Sequence, residues 1–131
     1  MARFLAWLLV AAAVTAAADQ PSQLFEQAVK ELNAANYAAA EKDLQQVLGA
    51  SPNHLGALQN LGLVYSKTGR LNQAIAAYRQ ALELRPRDPT LLLDLGVAYL
   101  KQESFTDALP VFQRLMDSGP EVAAARDAGL L

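Results

Sequence analysis

The chain has 131 residues, enough for one small domain, and its 11 Lys and Arg nearly balance its 13 Asp and Glu. That balance argues against nucleic-acid binding, because a nucleic-acid site needs a clustered basic face. Because the chain has no cysteine, disulfides, zinc–thiolate sites, cysteine nucleophiles and lipid attachment at a cleavage-site cysteine are excluded.

The first 18 residues have the pattern of a secretory signal peptide. Arg3 supplies a short positive region, residues 4–14 are an unbroken apolar run, and residues 16–18 are an Ala-Ala-Ala stretch that suits cleavage. An uncleaved membrane anchor is the alternative, but only 15 residues lie between Arg3 and Asp19, whereas a spanning helix needs about 20. We therefore expect export with removal of residues 1–18, leaving no membrane span and a periplasmic protein; a secreted or membrane-anchored protein is the alternative.

After this segment, side chains of the same kind return every 34 residues. A fixed period of about 20–50 residues is the mark of a repeat array, in which each unit buries its apolar face against its neighbours. The sequence therefore predicts three repeats, at 21–54, 55–88 and 89–122, within a domain that covers residues 19–122. The recurring positions are Leu24, Leu58 and Leu92; Ala28, Gly62 and Gly96; Ala40, Ala74 and Ala108; Leu44, Tyr78 and Phe112; and Pro52, Pro86 and Pro120.

Each period contains the pattern of two helices, which is clearest in the middle repeat. Gly69 follows the first apolar stripe, where a C-terminal glycine ends a helix. A second stripe covers residues 71–82, and Pro86 cannot continue it. We predict two antiparallel helices that approach most closely at Gly62 and Ala74, because a larger side chain there would push their axes apart. The first stripe has i, i+3, i+4, i+7 spacing: Leu58, Leu61, Gly62 and Tyr65.

This pattern resembles the tetratricopeptide repeat. The first repeat matches less well, with Gln27 and Glu31 in place of Leu and Tyr; we expect them to form a polar cap at the N-terminal end. The resemblance implies an all-α, right-handed superhelical solenoid of three antiparallel helix pairs after the signal peptide. The matching residues are Leu61-Gly62, Tyr65, Ala74, Tyr78, Ala81 and Pro86 in the second repeat, and Leu92, Leu95-Gly96, Tyr99, Ala108, Phe112 and Pro120 in the third.

In this family the first helix of each pair lines a concave groove that binds extended or helical peptides. Val29, Leu63 and Val97 are predicted to form an apolar row in that groove. Glu26, Asn60 and Asp94 form a polar row beside it, which favours a peptide with basic or neutral side chains. The alternative is that both rows only support packing and hydration. The predicted groove residues are Phe25, Glu26, Val29, Asn33, Gln59, Asn60, Leu63, Lys67, Leu93, Asp94, Val97 and Lys101.

The pattern of polar residues predicts no enzyme, no cofactor and no metal site. His54 is the only histidine, and one histidine cannot build a metal site. Glu26 and Asp94 lie two repeats apart, about 20 Å at about 10 Å per helix layer, too far for a carboxylate pair that works by acid–base chemistry within about 5–10 Å. Near the C-terminus, Pro110 is expected to kink or loosen the last helix after its N-cap Ser104.

We expect a protein-interaction scaffold or adaptor that holds a peptide or protein segment in its concave groove within the cell envelope. One alternative is a structural module that self-associates through its exposed ends and the apolar residues 122–131. Another is a truncated targeting or regulatory portion of a larger protein. Residues 123–131 are either a capping stub or the start of a fourth repeat, and the sequence leaves the partner's identity and the oligomeric state open.

Overall fold

The computed structural model describes residues 20–129, so the predicted signal peptide at residues 1–18 lies outside the described residues. This part of the chain consists of helices and short turns, which confirms the predicted all-α fold of stacked helix pairs. We call the successive pairs hairpins 1, 2 and 3. They are formed by α1 (20–33) and α2 (Tyr37–Ala50), by α3 (Leu55–Lys67) and α4 (Leu71–Leu84), and by α5 (Pro89–Lys101) and α6 (Phe105–Asp117); α7 (Pro120–Asp127) follows.

The two helices of every hairpin are joined by the same tight turn. Ala35, Gly69 and Glu103 occupy equivalent positions, with φ of +60°, +77° and +60°. In each turn the next amide donates to the carbonyl five residues earlier, at 2.8–2.9 Å, the longer hydrogen bond of the Schellman motif. Gly69 therefore ends its helix as predicted. In hairpins 1 and 3 the equivalent residues, Ala35 and Glu103, adopt the same left-handed φ although they carry a side chain.

The first helices of hairpins 2 and 3 have side-chain caps. His54 Nδ1 accepts from the Ala57 amide at 3.0 Å, so the single histidine begins α3. The Asp88 carboxylate accepts from the amides of Thr90 and Leu91, at 3.0 and 3.2 Å. Each cap satisfies amides that the first helical turn leaves without a partner.

Inside the hairpins, the predicted close approach at Gly62 is confirmed. A Cβ added at Gly62 would lie 2.5 Å from Cε1 of Tyr78, and one added at Gly96 would lie 2.6 Å from Cζ of Phe112. The rings thus occupy the volume that a side chain on the facing helix would need. Ala40, Ala74 and Ala108, which recur at 34-residue spacing, are all buried beside these contacts.

Two prolines lie near the C-terminal end of the described residues. Pro120 follows the end of α6 at Asp117, as Pro86 follows the end of α4, and it is also the first residue of α7, because the fixed φ of proline suits the first helical position. Pro110, which was expected to kink or loosen its helix, lies inside α6, and α6 runs from Phe105 to Asp117. The predicted N-cap Ser104 stands at the N-cap position of α6 but makes no side-chain capping bond.

Candidate functional site

The predicted groove residues lie on α1, α3 and α5, the first helices of the three hairpins, and none of them is fully buried. The stripe on these helices that packs into the core is separate, and it includes Leu58, Leu61 and Leu92. The groove residues fall into two groups by burial. Glu26, Asn33, Lys67, Leu93, Val97 and Lys101 are exposed, while Phe25, Val29, Gln59, Asn60, Leu63 and Asp94 are half-buried.

Two hydrogen bonds join α3 and α5 across this face. Gln59 Nε2 donates to Asp94 Oδ2 at 3.4 Å, and Lys101 Nζ donates to Ser66 Oγ at 3.1 Å. Three of these four residues belong to the predicted groove, so the structure brings them together as neighbours. Ser66 was not predicted, although it lies three residues after Leu63 and seven after Gln59, which places it on the same face of α3.

The Asp94 carboxylate is the partly buried acidic group of this face. Its burial raises the pKa of Asp94 above the ordinary value; the hydrogen bond from Gln59 works in the opposite direction, and the negative charge of Asp88 raises the pKa further. A raised carboxyl pKa means that the ionised form is poorly compensated by its surroundings. A cationic group placed beside Asp94 would stabilise that ionised form.

The apolar part of the face is concentrated on α5. Leu93, Val97 and Leu100 are 47%, 37% and 43% exposed, and their i, i+4, i+7 spacing places them on one side of the helix. Leu100 was not among the predicted groove residues, although the spacing from Leu93 and Val97 could have revealed it. Val29 and Leu63, the other members of the predicted apolar row, are half-buried.

Phe25 contributes less open surface than the sequence suggested. Its ring lies 4.6 Å from the His54 ring, centroid to centroid, and it packs against the hydrophobic core. A Cβ added at Gly56 would lie 2.8 Å from Cζ of Phe25, so the glycine leaves the space that the ring fills. Phe25 therefore links hairpin 1 to the start of α3, and only its half-exposed edge remains for a ligand.

Charges on this face are separated along the helix axes. Glu26 and Asp94 lie in the first half of their helices, whereas Lys67 and Lys101 lie in the last turns of α3 and α5. Lys101 lies seven positions after Asp94 in α5, a distance of about 10 Å along the helix axis. The face thus has an acidic edge and a basic edge, with the apolar side chains of α5 between them.

Chemistry at this face is limited to binding by the groups just described. Within residues 20–129, the structure places no three His, Cys, Asp or Glu side chains where they could hold a metal ion. None of the helices in that range is long and apolar enough to span a membrane. The face can offer apolar contact, hydrogen bonds from side-chain amides, an acidic edge and a basic edge.

A different contact links hairpins 1 and 2, between α2 and the turn that joins α3 to α4. The Arg70 guanidinium donates to both oxygens of Glu41, at 2.9 and 2.5 Å, and lies 4.7 Å from the centre of the Tyr65 ring. The hydrogen bond from Arg70 lowers the pKa of Glu41 despite partial burial. Between hairpins 2 and 3 the corresponding residues are Ile75 and Ser104, which cannot form such a bridge.

Comparison with known families identifies both sequence matches and structural relatives. A model described as a tetratricopeptide repeat matches residues 31–78 and one described as a TPR repeat matches residues 62–103. The chain is 31% identical over 109 residues to the tetratricopeptide repeat domain-containing protein PYG7 of Arabidopsis thaliana, a match covering 80% of this chain and 36% of that protein.

Two further relatives match smaller shares of this chain. Over 72 residues the chain is 32% identical to the photosystem I assembly protein Ycf3 of Synechococcus sp. (strain CC9605), covering 53% of this chain and 42% of that protein. It is 27% identical over 90 residues to anaphase-promoting complex subunit 3 of Schizosaccharomyces pombe, covering 69% of this chain and 14% of that protein. The chain thus spans less than half the length of each of these three relatives.

The fold has close counterparts among solved structures. A crystal structure of MamA superposes with a TM-score of 0.75 at 21% identity, over 80% of this chain and 61% of that one. The two family models together span residues 31–103, more than half of the sequence, and they fall on the helix pairs that carry the 34-residue period. On these grounds the chain belongs to the tetratricopeptide repeat family.

Proposed function

We propose that the chain is a protein-interaction scaffold that holds a peptide segment of its partner across the face of α1, α3 and α5. The observation that carries the proposal is the exposed apolar strip of Leu93, Val97 and Leu100, set between an acidic and a basic edge. Exposed apolar surface with a polar rim is typical of a protein-interaction site. A groove across preformed helices also spares part of the ordering cost that a flexible binder would meet.

The charges define the chemistry of the peptide. Apolar side chains of the peptide would lie on Val97 and its neighbours, and a Lys or Arg would approach Asp94. An acidic side chain would approach Lys101 at the opposite edge. The hydrogen bond from Gln59 to Asp94 is long at 3.4 Å, so a cationic peptide group can compete for the carboxylate with little loss.

The relatives support a scaffold role of this general kind. One is named as an assembly protein and another as a subunit of a complex, and both roles depend on contact between proteins. The signal-like pattern of residues 1–18 supports the further proposal that this contact takes place in the cell envelope, in the periplasm of a bacterium. Fractionation of cells that express the tagged chain, with sizing of its N-terminus by mass spectrometry, tests that location.

Peptide selection tests the groove. Peptides are selected from a displayed random library on the purified chain, and their Kd is measured by fluorescence anisotropy. We expect Val97→Glu to weaken binding at least tenfold, because it places a charge in the apolar strip. The matched control is Leu84→Glu, since Leu84 is 40% exposed but lies at the end of α4, away from this face; it should leave Kd unchanged. Both variants should retain the helical circular dichroism and Tm of the parent chain.

A charge exchange sharpens the same test. For a selected peptide with one Lys or Arg, Asp94→Asn should weaken binding severalfold, and replacing that basic residue with Ala should abolish the difference. Asn keeps the shape of the side chain and an oxygen for Gln59, so the loss reports charge. Peptides that bind the Val97→Glu chain as tightly as the parent would show that this face is not the site.

A further inference from the structure

Within residues 20–129 the two ends of the stack differ in polarity, and the last hairpin exposes apolar side chains. On α6, Phe105, Leu109 and Met116 are 64%, 71% and 68% exposed. One period earlier, Ile75 and Leu82 occupy the positions of Leu109 and Met116, and they are only 8% and 6% exposed. Hairpin 3 packs over that part of α4, because Ile75 and Leu82 share one core cluster with residues of α5.

We call the side chains Phe105, Leu109, Phe112 and Met116 the α6 stripe. The helix that follows it in the chain does not cover it. A linker of four residues, 85–88, leads from α4 to α5, but only residues 118 and 119 separate α6 from α7. Phe105, Leu109 and Met116 are about two-thirds exposed even though α7 follows α6. Residues 118–129 thus leave exposed on α6 the kind of surface on which hairpin 3 packs in α4.

The N-terminal end has the opposite character. Gln27 and Glu31 stand where hairpin 2 has Leu61 and Tyr65. Gln27 Nε2 donates to Glu31 Oε1 and Asn36 Nδ2 donates to Glu31 Oε2, both at 2.7 Å. Packing an apolar stripe against this end would remove the Glu31 carboxylate from water, and burial of a charge without a new partner is costly. Stacking of the C-terminal end of one copy on the N-terminal end of the next is therefore disfavoured.

We propose that the α6 stripe is a self-association face, on which two copies of the chain pack α6 against α6 in a closed pair. The same end of a second copy offers an equally apolar surface, so both stripes are covered at once. The stripe itself carries no charge, and Thr106 and Gln113 beside it are also uncharged; the exposed charges of α6, Asp107, Arg114 and Asp117, lie outside the stripe. The packed stripes themselves therefore bring no like charges together. Twofold pairs with identical faces are the commonest symmetric assemblies.

The area of the stripe sets the expected strength. Three large apolar side chains that are about two-thirds exposed offer roughly 400 Å² per copy, since one such side chain carries about 200 Å². That is half of the roughly 800 Å² per partner of a standard stable interface. We therefore expect a concentration-dependent dimer with a Kd in the micromolar range, rather than a permanent one.

Sedimentation equilibrium of the purified chain from about 1 to 500 μM tests the proposal. The weight-average mass should rise towards twice the monomer mass and stop there. Leu109→Lys should remain monomeric over this range, with an unchanged Tm because Leu109 is exposed. Leu84→Lys, an equally drastic change on α4, should dimerise like the parent. A chain that stays monomeric throughout, a Leu109→Lys chain that still dimerises, or growth beyond the dimer would each overturn the proposal.

Cross-linking locates the contact, because the native chain has no cysteine. The Gln113→Cys variant places one thiol beside the α6 stripe, so mild oxidation should yield a disulfide-linked dimer. The matched Gln23→Cys variant places it on exposed surface of α1 and should yield little. Val97→Glu, which tests the peptide groove, should leave the sedimentation of the chain unchanged, so the two proposals can fail independently. Efficient linking through Gln23→Cys in place of Gln113→Cys would assign the contact to the wrong end of the stack.

Discussion

Hairpins 1 and 2 share one backbone plan but divide the space between their helices differently. Hairpin 1 has Ala28 facing Leu44, both fully buried. Hairpin 2 has Gly62, whose missing Cβ leaves the space that Tyr78 fills. The side chain lost from one helix is thus replaced by a larger one on the other. What the repeat requires at this contact is a filled volume at a fixed helix separation, since interiors are packed to near crystal density.

The largest loss of stability should come from a side chain that disturbs how Gly62 and Tyr78 share the space between their helices. Gly62→Ala places a methyl group 2.5 Å from the Tyr78 ring, and the ring is held in the core, so the helices must separate. We expect a loss of about 2–3 kcal/mol in the free energy of unfolding, the upper range for overpacking a core. Urea denaturation followed by circular dichroism measures it. The control is Gly49→Ala, since a Cβ there would meet nothing within 4 Å and should leave stability equal or slightly increased.

A second substitution should convert hairpin 2 to the arrangement of hairpin 1. In the Gly62→Ala background, Tyr78→Leu recreates the facing pair of Ala28 and Leu44. We expect the double variant to recover at least 1 kcal/mol relative to Gly62→Ala, although Tyr78→Leu alone should destabilise the chain by leaving a cavity. Additive losses in this double-mutant cycle would show that the two positions do not share one volume.

The period of the sequence predicted the hairpins, the turn at Gly69 and the close contact at Gly62, because spacing along the chain determines all three. Residues that depend on the neighbouring repeat were harder to predict. Leu100 corresponds to Ser66 in hairpin 2, so the 34-residue period did not reveal it, and only its spacing from Leu93 and Val97 within α5 could have. The ring of Phe25 packs against His54, which precedes α3. Pro120 both follows the end of α6 and begins α7, since only two residues separate these helices.

The contacts between hairpins differ as much as those within them. Arg70 and Glu41 bridge hairpins 1 and 2, while hairpins 2 and 3 have only Ile75 and Ser104 at those positions. We expect a small favourable coupling energy at pH 7 from the cycle of Arg70→Ala and Glu41→Ala, because the bridge is bidentate but exposed to solvent. Chemical denaturation of the four chains measures it.

The pH dependence of this coupling has a definite sign. Folding lowers the pKa of Glu41 from its ordinary 4.5 through the hydrogen bond from Arg70. The contribution is therefore complete above pH 5 or so, and it declines as the pH falls through 4.5 and then through the lower pKa of the folded state. Coupling measured at pH 3 should be weaker than at pH 7, and molar salt should weaken it at pH 7 as well. A coupling that is equal at both pH values would show that the ionised pair contributes nothing.

The smallest effects, and the most directly comparable, concern the three equivalent turns. Ala35 and Glu103 hold φ of +60°, where a side chain is strained and glycine is not. We expect Ala35→Gly and Glu103→Gly to raise the free energy of unfolding by about 0.5–1 kcal/mol each, less the added flexibility of the unfolded chain. Gly69→Ala should lower it by about 1 kcal/mol, since it gives hairpin 2 the strained turn that hairpin 1 already has. Thermal unfolding measures the three variants. A gain in stability on replacing a residue by glycine, together with a loss on replacing Gly69 by alanine, would attribute both effects to the turn conformation. A loss of stability in Ala35→Gly would mean instead that the alanine methyl group makes a packing contact that outweighs the strain.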